Sequence, residues 1–249
     1  MLDFLKIDDD FWEFPFYSGK PQISKLAWAI LVIVVLLEIS MIAGLLGFLP
    51  IYMIPKEIMS ILPCIVLLLA LAYACKGKLG MFFKIPTLND VKLIIVCYIL
   101  SMIYSLVAIL GLTALGVPTA ANTAIPTQSI YPMASNAVIM LIGLMEEELF
   151  KIIMLIILMA AIYYFTKNKK LSVIIGVFLN LMIFGLCHLS AYNYNVIQCI
   201  VVIGLGSFFN LFVYLKTKNI VNSYIVHVLI DFLFDSIGII FAFHYMGVF

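Results

Sequence analysis

The chain contains no arginine. All fourteen of its basic residues are lysines, set against thirteen acids, so the formal charge is only +1 over 249 residues. Charged residues make up 11% of the sequence, too few for the basic face that a nucleic-acid partner requires, and none is expected. Cysteine is also scarce. Cys64, Cys75, Cys97, Cys187 and Cys199 lie inside or at the ends of apolar runs without paired spacing. That excludes a disulfide frame or a paired-cysteine zinc site and leaves small buried hydrophobes. Residues 1–24 lack the basic start and short apolar core of a secretory signal, and no inverted repeat of the kind that transporters carry is visible.

What the chain has in excess is apolar length. It is 65% hydrophobic, far outside the globular norm, and its long runs each approach or exceed the ~20 residues a bilayer needs. They fall at 26–49, 58–75, 91–115, 137–165, 171–189, 196–215 and 220–245. The expectation is an all-α, polytopic membrane bundle of about seven transmembrane helices, with room for an eighth because the fourth run is long enough to be broken or strongly tilted. Residues 25–249 form one membrane domain. The preceding 1–24, with Asp8-Asp9-Asp10 and then Phe11-Trp12-Glu13-Phe14-Pro15-Phe16-Tyr17, reads either as a juxtamembrane segment with its rings at the interface or as an unstructured tail.

The lysines orient the bundle. Twelve of the fourteen flank alternate loops, with Lys56 alone on the other side and Lys151 inside a run. The N-terminus is therefore expected in the cytoplasm and the C-terminus outside, in a cell membrane. The loop 116–136 carries Pro118, Pro126 and Pro132 and no charge, which suits an extended or re-entrant segment.

Against this background Glu146-Glu147-Glu148-Leu149-Phe150-Lys151 stands out, because each charge at mid-membrane costs roughly 2.5–3.5 kcal/mol on the insertion scale. Glu147 and Lys151 at i,i+4 are spaced to pair. Glu146 and Glu148 lie about 200° apart around a helix, so the three carboxylates cannot all face the lysine. Two more polar groups sit in later runs: Phe184 with His188, and His227 with Asp231, followed by Asp235. His and carboxylates on three separate helices need common partners.

Peptide hydrolysis needs a base that works near neutral pH, and a glutamate in apolar surroundings suits it; Glu146 is the expected base. His227 can donate to a developing oxyanion or ligate a metal. Two histidines and a glutamate also make up a catalytic zinc set with one open position. The residues leave metal-bound and metal-free water both open, and the glutamate route is the one expected.

In order and separation, Glu146-Glu147 with Lys151, Phe184 with His188, and His227 with Asp231 resemble the E-E-x-x-x-R, F-x-x-x-H and H-x-x-x-N/D motifs of the CPBP family. That family includes type II CAAX prenyl endopeptidases, or Ras-converting enzymes, and Abi relatives linked to bacteriocin self-immunity. The likeness covers roughly 136–235. It implies an intramembrane endopeptidase, inside the bundle, in which Glu146 and His188 activate water. His227 and Asp231 would stand at the scissile carbonyl, with Glu147, Lys151 and Phe184 in support. The substrate would be a membrane-associated or prenylated-type peptide or protein. Any divalent metal, zinc included, would fall to Glu146, His188, His227 and Asp231.

Two positions depart from the motifs. Lys151 replaces arginine, which the absence of arginine from the whole chain accounts for, and an ionised Asp231 cannot donate to an oxyanion, so it is expected to orient His227 or bind metal. A proton- or metal-coupled transporter and a non-proteolytic immunity or binding protein are the competing classes. Under the transporter reading, Glu38 in the first run and Asp235 would matter more than as helix-to-helix hydrogen-bonding groups. One inconsistency remains in the depths: counted from the flanking lysines, His227 falls near mid-membrane and His188 close to the outer face. The expectation is nonetheless that Glu146, His188, His227 and Asp231 converge on one water-filled chamber between the fourth, fifth and seventh runs.

Overall fold

A computed structural model describes residues 7, 9–18, 21–42, 56–120 and 131–245, and the side chains of 56, 57, 59, 60, 131–137 and 233–245 are outside that description. The end of the first expected run, residues 121–130 of the proline-bearing loop, Asp8, and the side chains of Asp235 and His244 therefore lie outside the described residues. The described chain is a helical bundle without strands. Its helices are α1 (Lys25–Ile42), α2 (Lys56–Ala74), α3 (Leu88–Ala114), α4 (Tyr131–Thr166), α5 (Lys169–Cys187), α6 (Val196–Thr217) and α7 (Ile220–Tyr245). Among the described residues five are long and apolar enough to cross a membrane, namely α1, α3, α5, α6 and the Val138–Thr166 part of α4. Two shorter apolar stretches, Ile61–Ala74 and Ile220–Phe232, pack among them. The fourth run is not broken: α4 continues for 36 residues, about 54 Å, and takes in residues 131–136, which the sequence suggested were loop.

Local chemistry sets the helix ends. Thr87 and Asp90 form a reciprocal capping box at the start of α3, satisfying two otherwise orphaned N–H groups. The same tripeptide makes two of the turns. Thr166-Lys167-Asn168 joins α4 to α5 and Thr217-Lys218-Asn219 joins α6 to α7. In each, the threonine hydroxyl donates to the carbonyl four residues back and the lysine takes a left-handed φ near +50°. The asparagine then accepts from a backbone N–H of the next helix. Connections this short make antiparallel neighbours. Asn219 also holds both backbone groups of Lys84, tying the α2–α3 connector to the α6–α7 turn.

Packing centres on α4, which touches α1, α2, α5 and α7. Helices α5 and α6 meet backbone to backbone: a Cβ on Gly185 would stand 2.4 Å from the Cys199 carbonyl oxygen, and one on Gly204 would stand 2.6 Å from that of Leu181. At this contact α6 opens into a π-helical stretch, Cys199–Gly204. Tyr104 of α3 donates to the Val201 carbonyl there at 2.7 Å.

Within residues 9–18 the chain is packed and not an unstructured tail, and four of its rings sit in the protein core instead of at a lipid interface. Phe11, Phe14, Phe16 and Tyr17 are all buried in the same core as α4 and α5. Phe11 packs on Phe212, Phe14 on Tyr214, Phe16 on Phe82 and Tyr17 on Tyr163. Glu13 pairs with Lys169. Lys218 donates to the Phe11 carbonyl at 2.9 Å and sits 3.6 Å over the Phe14 ring.

This segment removes the discrepancy in depth between the two histidines. His188 is about 28 Å along α5 from Lys169, while His227 is only about 10 Å along α7 from Ile220, yet both rings reach Glu147. The α6–α7 turn therefore stops about 18 Å short of the α4–α5 turn, and the N-terminal aromatics fill the step. Phe14→Ala is expected to destabilise the protein by about 3–5 kcal/mol, the cost of emptying a packed core site. Thermal unfolding in detergent measures it, and a loss under about 1 kcal/mol would mean the ring is not part of the core.

Candidate active site

Three consecutive glutamates on α4 point to three different partners. Each residue turns about 100° around the helix, and the neighbouring helices are placed to receive each carboxylate in turn.

Glu148 faces the protein interior. It and Lys151 are wholly buried, and the Lys151 ammonium lies 2.5 Å from Glu148 Oε1. Asn210 of α6 donates to the same oxygen at 2.9 Å, Ser223 of α7 donates to Oε2, and His227 Nδ1 stands 2.8 Å from Oε1. One buried carboxylate thus gathers groups from three helices. The i,i+4 pair read from the sequence, Glu147 with Lys151, is replaced by an i,i+3 pair, Glu148 with Lys151. The reason is steric: α5 packs on α4 at this level, with Asn180 donating to the Lys151 carbonyl at 2.8 Å and the Phe184 ring 4.4 Å from the ammonium. A cation held between Phe184 and Glu148 gains from both the ring face and the carboxylate.

Glu147 faces the histidines. Its Oε2 is 3.7 Å from His188 Nε2 and 3.7 Å from His227 Nε2, and its side chain keeps 32% exposure where Glu148 keeps none. Each ring is fixed from behind. His188, at the C-terminal cap of α5, hydrogen-bonds through Nδ1 to the Phe184 carbonyl at 2.9 Å, and His227 is held through Nδ1 by Glu148. Phe184 packs against both rings. Asp231, one helical turn beyond His227, brings Oδ2 to 3.8 Å from His227 Nε2.

Glu146 turns the other way, toward α1, where its carboxyl shares a hydrogen bond with Glu38. The expected convergence of Glu146 with His188, His227 and Asp231 is therefore corrected. The three later residues do come together, and Glu147 is the carboxylate that meets them. Helix rotation leaves no sector in which Glu146 and Glu147 both reach the rings.

The same turn breaks up the expected metal set, since Glu146 is not with the other three. Ligands on one tetrahedral zinc at bond lengths of 2.0–2.1 Å stand about 3.3 Å from one another, closer than the 3.7–3.8 Å separations seen. Among the described residues no group of three or more His, Cys, Asp or Glu is arranged to hold a metal ion. As placed, the remaining candidates stand a few tenths of an ångström wider apart than one zinc would hold them.

Residues 127–233 match the family model described as Rce1-like, type II CAAX prenyl endopeptidase. That stretch of the chain is similar to the family's domain. Searches of curated proteins and of solved structures find no match. The matched stretch takes in all of α4, α5 and α6 and the first half of α7, and with them Glu146–Glu148, Lys151, His188, Asn210, Ser223, His227 and Asp231. Glu38 lies outside it.

Sequence reading missed Glu148 as the hub, and with it Asn210 and Ser223. A signal was present: Ser223, His227 and Asp231 repeat at four-residue steps on one face of α7, and an asparagine inside an apolar span calls for a partner. Lys151→Ala and Glu148→Gln are each expected to destabilise the fold by about 3–5 kcal/mol, because each strands a buried partner. Glu147→Gln, part-exposed and hub-free, is expected to melt within about 1 kcal/mol of the parent. Detergent melts of the three variants check the order, and a stable Lys151→Ala would contradict the hub.

Proposed function

We propose that the protein is an intramembrane endopeptidase in which Glu147, with His188 and His227, activates water against a peptide bond near the C-terminus of a membrane-anchored, prenylated-type substrate. The observation that carries this reading is the pair of 3.7 Å separations between the Glu147 carboxylate and the two Nε2 atoms. That is too long for a direct hydrogen bond and short enough for one water to touch all three.

The residues divide the work as follows. The Glu147 carboxylate takes a proton from the water as its oxygen attacks the scissile carbonyl, and the carboxylic acid so formed returns it to the leaving amine. His188 donates through Nδ1 to the Phe184 carbonyl, so its Nε2 lone pair is free to accept a hydrogen bond from the water's second O–H and orient the nucleophile. His227 is held at Nδ1 by Glu148. Its Nε2, when protonated, donates to the carbonyl oxygen as charge develops there. Asp231 orients that ring from 3.8 Å, and Lys151 offsets the Glu148 charge. Substrate and bilayer are the partners, with the lysine-rich loops and the N-terminus on the cytoplasmic side.

The test is a quenched fluorescent peptide ending in a farnesylated CAAX sequence, incubated with the full chain in lipid vesicles. Glu147→Gln is expected to lower kcat by about a thousandfold or more while the protein remains folded, and Glu146→Gln is expected to keep measurable turnover. Wild-type cleavage by Glu147→Gln would remove this assignment, and a dead Glu146→Gln alongside it would restore Glu146 as the base.

A further inference from the structure

The one carboxyl pair that the proposed reaction leaves unused is Glu38 with Glu146. Helix α1 buries a stripe of Ala27, Leu31, Val35 and Glu38, so the glutamate continues an apolar face that packs on α2 and α4. It is only 6% exposed. Its hydrogen-bond partner is the carboxyl of Glu146. An ionised carboxylate only accepts hydrogen bonds, so a bond between two carboxyls requires a proton on one of them. The alternative, two carboxylates in contact inside an apolar bundle, sets like charges against each other where neither is solvated. Among the described residues the charged and titratable groups around the pair are Cys64 from α2, Cys187 from α5 and Glu147 beside it on α4. None of these is a cation.

We infer that Glu38 and Glu146 share a single proton, and that Glu38 is thereby a positioning residue: it holds Glu146 against α1 and so leaves Glu147 as the carboxylate that meets His188 and His227. This rests on the reading of Glu147 as the base. The physical argument is one of competition. Glu146 and Glu147 are adjacent on α4 and both carboxylates seek a donor. Among the described residues the donors near this part of α4, apart from the shared proton, are the two imidazoles and the weakly donating thiols of Cys64 and Cys187. With an apolar residue at position 38, Glu146 would have to stay buried without a partner or swing toward the rings, where it would displace Glu147 and add charge to the site. The residue that decides between the glutamates is thus on a helix outside the matched stretch.

Infrared spectroscopy of the full chain in lipid vesicles reads the shared proton directly, through the carbonyl stretch of a protonated carboxyl, with kcat and KM on the farnesylated peptide measured alongside. At neutral pH the wild type is expected to show that band, and Glu38→Gln and Glu146→Gln are each expected to lose it, since in each the remaining glutamate ionises and accepts from the new amide. Glu38→Leu is expected to lower kcat about tenfold with little change in KM, while Glu38→Gln, which still offers Glu146 a donor, recovers most of the rate. A wild type without the band, a band that survives in both glutamine variants, or a Glu38→Leu enzyme with unchanged kcat would overturn the inference. If no peptide is cleaved by the wild type, the protease reading fails, while the band still reports whether the proton is shared.

Discussion

Everything around the candidate site depends on one buried carboxylate. Glu148 has no exposure and is contacted by Lys151 on its own helix, by Asn210 on α6, and by Ser223 and His227 on α7. In a low-dielectric interior an unpaired charge is the costliest state available, so the three helices are held at the separations that keep those ion pairs and hydrogen bonds in contact. The consequence for chemistry is indirect but strong. His227 is gripped at Nδ1, which leaves only Nε2 to face Glu147, and Lys151 is fixed under Phe184, whose carbonyl in turn grips His188. The catalytic geometry proposed for Glu147 is therefore set by a neighbour that takes no part in it.

A helix that carries three glutamates in succession would be a liability in a membrane if they shared a face. The 100° step spreads them over 200°, and each sector has been supplied with a different answer: a protonated partner on α1, two imidazoles on α5 and α7, and a cation with two neutral donors in the core. This much could be argued from sequence, since the angular separation of Glu146 and Glu148 follows from helix geometry alone. Which carboxylate meets which partner could not. The order of α1, α5 and α7 around α4 is a tertiary fact, and a motif read as Glu146-Glu147 with Lys151 placed the base one residue, and so 100°, away from the rings.

The fold was legible where apolar length is the signal. Each of the seven runs carries a helix among its described residues, because a bilayer-length apolar stretch must satisfy its own backbone. It was less legible where polar and aromatic residues pack locally. Phe11, Phe14, Phe16 and Tyr17 look like interface anchors, and only the short α6–α7 turn, which leaves a step beside α4 and α5, explains why they are core. The apparent conflict in depth between His188 and His227 came from the same cause: distances counted from Lys170 and Lys216 assume that both turns lie at one level, and they do not. The family likeness located His188, His227 and Asp231 as a group. The hub residues Asn210 and Ser223 fall between its motifs.

The central claim, that Glu147 and not Glu146 works with the histidines, is tested most directly by two double-mutant cycles on peptide cleavage, one pairing His188→Ala with Glu147→Gln and the other pairing it with Glu146→Gln. Groups that act on one water are strongly non-additive. The account predicts that removing His188 costs little further once Glu147 is gone, and costs its full amount once Glu146 is gone. The reverse pattern, with coupling to Glu146 and additivity with Glu147, would contradict it.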